Sequence, residues 1–191
     1  ERERGLAIGD GETIVRTGIP FLDHMLGTLI RYAGLNGSIE ATGDLKHHII
    51  EDVGIVFGSA IVGLASPRAA RFAERTIPMD DALVQVVLDL GGRPYYRGRL
   101  PSELYDHWMR SFADNAGCTL HIRVLRGRDR HHIVEAAFKA LGFALREALR
   151  EDTGGPSSMK GPVVEHVAMD SRLRGNDVKM DSRLRGNDGS C

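Results

Sequence analysis

The sequence predicts an α+β fold: a duplicated strand–helix–strand–helix unit that forms two mixed β-sheets with helices packed against them. Two observations predict it. Residues 1–81 and 82–162 carry the same succession of strand-like and helical patterns, as two repeat halves would. The longer helical stretch of each half also opens on one motif, HHIIE at 47–51 and HHIVE at 131–135. At 191 residues, 42% hydrophobic and 27% charged, the chain has enough apolar material to bury such a core.

The elements follow in order. ETIVRT (12–17) reads as a strand from its β-branched, alternating residues. Pro20 stands where a helix tolerates proline, at its start, and opens a helix over Phe21–Tyr32 that Gly34 ends. GSIEAT (37–42) is the next strand, and His48–Leu64 is a long, largely apolar helix. In the second half ALVQVVLDL (82–90) is a strand. Gly91-Gly92 breaks it, and Pro94–Gly98 continues as a short one. Ser102 is an N-cap candidate for a helix over Ser102–Asn115. Cys118–Leu125 alternates as a strand, and Arg130–Arg150 is a long amphipathic helix. Residues 163–191 break the pattern. MDSRLRGND occurs at 169–177 and again at 180–188, with few large apolar residues, so disorder without a part in the chemistry is expected there.

Composition narrows the function classes. The net charge of −1, with no basic face interleaved with aromatics, argues against a nucleic-acid or membrane partner, so attraction for an anionic ligand must be local. The two cysteines, Cys118 and Cys191, make no disulfide framework and point to a reducing, cytoplasmic setting. The longest apolar stretch, Ile49–Ala65, is interrupted by Glu51, Asp52 and three glycines. No signal-peptide pattern is visible, and because the first residue is Glu1 rather than Met, further N-terminal residues are expected.

The chemistry lies in the repeated motif. On a helix the first His and the Glu of His-His-x-x-Glu stand at i and i+4, the second His and the Glu at i and i+3, so each pair shares a face. The adjacent histidines point about 100° apart. They are poorly placed to grip one ion together and well placed to serve two ions, or one ion in each of two subunits. Imidazole with carboxylate suits Mn, Fe, Co, Ni or Zn. His24 in FLDHML and His121 in TLHIRV add imidazoles close in sequence to these motifs. A third group is basic: Arg71, Arg93 and Lys160 sit in loop-like stretches, and Ser158 beside Lys160 adds a hydroxyl, a set suited to a phosphate or carboxylate.

GIPFLDHML, HHIIEDVGI, PMDDALVQVVLDLGGRPYY, SFADNAGCTLHI and HHIVEAAFKALGFALREAL resemble, in order, the signature blocks of the imidazoleglycerol-phosphate dehydratase family. The resemblance runs from about residue 5 to Gly161. It implies dehydration of imidazole glycerol phosphate to imidazole acetol phosphate in histidine biosynthesis, a pair of Mn²⁺ ions per active site, and a large homo-oligomer, typically of about 24 subunits, with inter-subunit sites. Carried over by motif, the metal ligands are His24, His47, His48, Glu51, His121, His131, His132 and Glu135. The phosphate-binding groups are Arg71, Arg93, Ser158 and Lys160. The proton to be removed is not acidic, so cations on the imidazole ring nitrogens and a carboxylate that moves protons are both needed. Glu51 and Glu135 are the candidates for that carboxylate. The resemblance also implies an N-terminal catalytic glutamate, at Glu1 or Glu3.

The sequence departs from the family pattern in places. GDLKHH is shorter than the family's usual approach to the first motif. Thr28 and Tyr32 stand where Gln and His are usual, Asp81 where Glu is, Gly91 where Ser is, and Asp129 where Asn is. Metal binding with weakened turnover is the resulting expectation. The alternative is a degenerate, weakly active or inactive relative that retains a structural metal site.

Overall fold

A computed structural model describes residues 6–9 and 11–152. The repeated tail, Ser158, Lys160, Glu1, Glu3 and Cys191 lie outside these residues.

The elements are β1 (Leu6–Ile8), β2 (Thr13–Arg16), α1 (Pro20–Ala33), β3 (Leu35–Glu40), α2 (Lys46–Leu64), β4 (Phe72–Met79), β5 (Ala82–Asp89), β6 (Tyr95–Arg97), α3 (Glu103–Asn115), β7 (Thr119–Arg126) and α4 (Arg130–Ala148). One sheet has the order β1-β3-β2 and the other β4-β5-β7-β6. The duplication is visible in the pairing. β1 runs antiparallel to β3 and β2 parallel to it. Likewise β5 runs antiparallel to β7 and β6 parallel to it. α1 therefore corresponds to α3, and α2 to α4. The α+β class and its two mixed sheets are as the sequence indicated.

Two strands were not expected. β1 is short, with two of its three residues exposed. β4, FAERTIPM, carries charges and Pro78, which read against a strand. It is tolerated because β4 is the edge of its sheet, pairing only with β5. Helix ends are set by local chemistry. Gly34, in the left-handed region at φ 66°, closes α1 by donating to the Ile30 and Arg31 carbonyls. Asp129 caps α4, its side chain accepting from the His131 amide at 2.7 Å.

The halves interlock through their helices: α2 packs on α3 and α1 on α4. Each contact is made possible by a glycine at the same place in the repeat, eleven residues after the first histidine of each motif. A Cβ on Gly58 would lie 2.6 Å from the Phe112 carbonyl oxygen and 2.8 Å from the Ala116 nitrogen. One on Gly142 would lie 2.7 Å from the Leu29 carbonyl oxygen. The core between the helices is aromatic: Trp108 stacks on Phe112 at 5.6 Å and meets Phe57 and Phe138. Among the described residues α2 is the one helix long and apolar enough to cross a membrane by length and composition. One face, Ile50, Val53, Phe57 and Ile61, is buried in this core, while Val56 and Val62 stand 67% and 54% exposed.

Candidate active site

The second motif builds a half-site around Glu135. The residue is only 6% exposed, and its carboxylate is surrounded by cationic or titratable groups. Lys139 Nζ lies 2.8 Å from Oε1, and His131 Nε2 lies 3.1 Å from Oε2. His24 Nε2 reaches across from α1 to 3.8 Å. Burial by itself would raise the carboxyl pKa. The Lys139 ammonium, with His24 and His131, outweighs that and holds it below the usual carboxylate range. His131 is also packed against Phe21 of α1, with ring centroids 5.1 Å apart.

His132 turns the other way, as the sequence geometry indicated. The rings of His131 and His132 are nearly perpendicular, 5.8 Å apart. His132 Nδ1 lies 2.8 Å from Asp81 Oδ1, and Nε2 lies 3.2 Å from Asp80 Oδ2. Both acids belong to the turn between β4 and β5. Asp81 Oδ2 also accepts from the backbone amides of Arg128 and Asp129, at 2.7 and 3.3 Å. The His132 bond and these two amides hold the Asp81 carboxyl down at about 2. Asp81 in turn raises the His132 pKa.

The first motif builds a corresponding half-site. His107 of α3 places Nε2 3.3 Å from Glu51 Oε1, as His24 of α1 faces Glu135. His48 Nδ1 lies 3.3 Å from Asp44 Oδ1, and the His47 ring packs edge-on to that of His48 at 4.2 Å. His107 was not among the sequence candidates. The signal was there: Asp-His occurs at 23–24 and again at 106–107, at the same place in the two equivalent helices. The aspartates work alike. Asp23 accepts from the Thr17 amide at 2.8 Å and its hydroxyl at 2.5 Å. Asp106 accepts from the Leu100 amide at 2.8 Å and the Tyr96 hydroxyl at 2.6 Å. Each pins the start of its helix, and so the histidine that follows.

Other candidates lie elsewhere. His121 alternates with the buried Leu120 and Ile122 on β7, so it faces away from the helix layer, beside Tyr95 at 5.5 Å between centroids. Arg71 enters β4 in the left-handed region, φ 70°, and forms a two-pronged ion pair with Asp89 at 2.5 and 3.1 Å. Its guanidinium lies in the space that a side chain on Gly91 would take. Arg93, exposed, follows two residues later in the same loop, and its carbonyl accepts from the Thr119 hydroxyl at 3.2 Å. Of the departures from the family pattern, Tyr32 packs on Phe143 at 4.7 Å and serves the α1–α4 contact.

One chain thus presents separate imidazole–carboxylate half-sites rather than a closed centre. Among the described residues no group of three or more His, Cys, Asp or Glu side chains is arranged to hold a metal ion by itself. The donor chemistry nevertheless suits a borderline divalent cation, since each half-site pairs imidazole nitrogen with carboxylate oxygen.

A duplicated α+β chain with two such half-sites, each shared between the repeats, defines a narrow class of protein. The family model for imidazoleglycerol-phosphate dehydratase matches residues 17–145. A dehydratase of that name from Clostridium botulinum strain 657 is 42% identical over 170 residues, covering 80% of this chain and 87% of the relative. One from Methanoculleus marisnigri is 44% identical over 170 residues, covering 80% and 88%. Among solved structures, the dehydratase from Staphylococcus aureus N315 superposes with a TM-score of 0.70 at 35% identity, covering 77% of this chain and 92% of that one. The Pyrococcus furiosus enzyme gives 0.72 at 39%, covering 82% and 93%. The chain belongs to the imidazoleglycerol-phosphate dehydratase family, lyases of histidine biosynthesis.

Proposed function

We propose that this chain dehydrates imidazole glycerol phosphate to imidazole acetol phosphate in a metal-dependent reaction, at sites completed between copies in a large homo-oligomer. The observation that carries this reading is the repeated half-site: His24 of the first repeat faces His131 and Glu135 of the second, and His107 of the second faces Glu51 of the first, beside His47 and His48. Among the described residues neither is arranged to hold a cation alone, and the two histidines of the second motif diverge, which suits ligation of different ions by neighbours. His24, His47, His48, Glu51, His121, His131, His132 and Glu135 would hold a pair of Mn²⁺ ions. When bound, the cations act as Lewis acids on the imidazole of the substrate and fix its orientation.

The chain's own residues supply the rest. Glu51 and Glu135 are the candidates to accept and return protons. Lys139 lies 2.8 Å from Glu135 Oε1 and favours its ionised form. Arg71, whose fork Asp89 holds beside Gly91, and the exposed Arg93 of the same loop would bind the phosphate. The exposed apolar side chains Val56, Val62 and Phe72 support burial against further copies. The relatives that this chain matches over most of its length are named as dehydratases, which favours the active reading over the inactive alternative.

The test is turnover of imidazole glycerol phosphate by protein stripped with a chelator and then given Mn²⁺. Loss on stripping and recovery with Mn²⁺ supports the reading. Turnover indifferent to the chelator contradicts its metal dependence.

A further inference from the structure

We propose that Asp81 is the positioning residue of His132: it accepts the proton of Nδ1 and so makes Nε2 the nitrogen that binds a divalent cation. This rests on the reading of His132 as a metal ligand. Three observations carry it. First, Asp81 Oδ1 lies 2.8 Å from His132 Nδ1, a normal hydrogen bond that only an N–H facing a carboxylate satisfies. Second, the carboxylate is itself held: Oδ2 takes the amides of Arg128 and Asp129, so the turn between β4 and β5 and the entry to α4 are locked to one acceptor. Third, the arrangement occurs in both halves with unrelated residues. In the first half the second histidine of the motif, His48, has its Nδ1 on Asp44, which comes from the loop before α2. Two repeats that reach the same ring nitrogen with acids from different elements indicate that the contact matters more than the residue supplying it. Carboxylate partners of this kind fix the tautomer and ring orientation of metal-binding histidines. Asp80 Oδ2 lies 3.2 Å from Nε2, so without metal that nitrogen also faces a carboxylate, and a cation bound there would take the place of a proton between them.

Asp81→Asn separates tautomer control from loop anchoring. The amide oxygen of asparagine can still accept from the Arg128 and Asp129 amides. Its NH₂ then faces His132 Nδ1 as a donor and moves the ring proton to Nε2, the wrong nitrogen for the cation. Asp81→Glu keeps the acceptor. The experiment uses full-length protein stripped of metal, titrated with Mn²⁺ alone and followed by the electron-paramagnetic-resonance signal of the free ion, with thermal unfolding of the metal-free form alongside.

D81N is expected to bind Mn²⁺ roughly 10- to 100-fold more weakly, the range for losing such a partner. D81E is expected to remain near wild type, and the metal-free unfolding temperature of D81N is expected to stay unchanged. If D81N binds like wild type while His132→Ala binds weakly, the positioning role is wrong and the metal reading stands. If D81N and D81E lose affinity equally, Asp81 acts only by anchoring the turn, and the proposal also falls. If His132→Ala binds like wild type, the metal reading of His132 itself fails.

Discussion

Glu135 is a buried carboxylate whose charge is tolerated because of what faces it, and Lys139→Met tests that directly. Methionine keeps the length of the lysine stem and removes the ammonium 2.8 Å from Oε1. The Glu135 side chain is 8% exposed and that of Lys139 17%, so little solvent takes the place of the lost charge. Breaking a buried pair on one side costs about 3–5 kcal/mol. His131 still reaches Oε2 at 3.1 Å, so the low end applies, about 3 kcal/mol. In a chain of this size that is a fall of about 6–12 °C in unfolding temperature. The assay is thermal unfolding followed by circular dichroism, in chelator so that no cation replaces the lysine.

The pH dependence has a definite sign. The folded-state pKa of Glu135 is lowered, so its contribution is fully present above the unfolded value of about 4.3 and is lost as pH falls through the lower folded value. In the variant, burial is no longer opposed by Lys139 and the pKa rises. The gap between the two proteins is therefore wide at neutral pH and closes in acid as Glu135 protonates in both. A variant that melts with wild type at neutral pH, or a gap that does not narrow in acid, would refute the argument.

Other outcomes follow from the same geometry. Gly142→Ala drives a methyl against the Leu29 carbonyl and Tyr32 Cβ, at 2.7 and 2.9 Å. The overpacking cost of about 1–3 kcal/mol exceeds the helix-propensity gain of about 1 kcal/mol, so calorimetry should show a lower unfolding temperature. Gly58→Ala should do the same at the other helix pair, and the double variant should be close to additive. His107→Ala frees the Glu51 carboxylate from its partner at 3.3 Å, and steady-state kinetics should show turnover reduced by roughly tenfold with the fold intact. Burial pushes the Cys118 thiol up to about 12, so peptide mapping after iodoacetamide at pH 8 should find it unmodified in the native protein and modified after unfolding.

Much of this was legible in the sequence because it depends on local pattern. The Pro20 start and Gly34 stop of α1, the alternation of β5 and β7, and the paired motifs at the starts of α2 and α4 are all local features. β4 was not legible, because its charges and Pro78 are permitted by an edge position that only the assembled sheet reveals. The divergence of His131 and His132 was readable from helix geometry. What each ring meets was not, since Asp80 and Asp81 come from a turn about fifty residues earlier. His107 was missed because a lone histidine on an amphipathic helix looks like surface. Its meaning comes from superposing α3 on α1, which shows that Asp106 and His107 repeat Asp23 and His24. The grip of Asp89 on Arg71 was likewise a matter of pairing across β4 and β5.

Complementation between two inactive variants is the most direct test of the account. One variant carries His48→Ala and Glu51→Ala, the other His132→Ala and Glu135→Ala, and the two are unfolded, mixed, refolded together with Mn²⁺ and assayed on imidazole glycerol phosphate. If each site joins the first motif of one copy to the second motif of another, hybrids contain intact sites, and the mixture turns over substrate when neither variant does. A mixture no more active than its components would contradict the shared site.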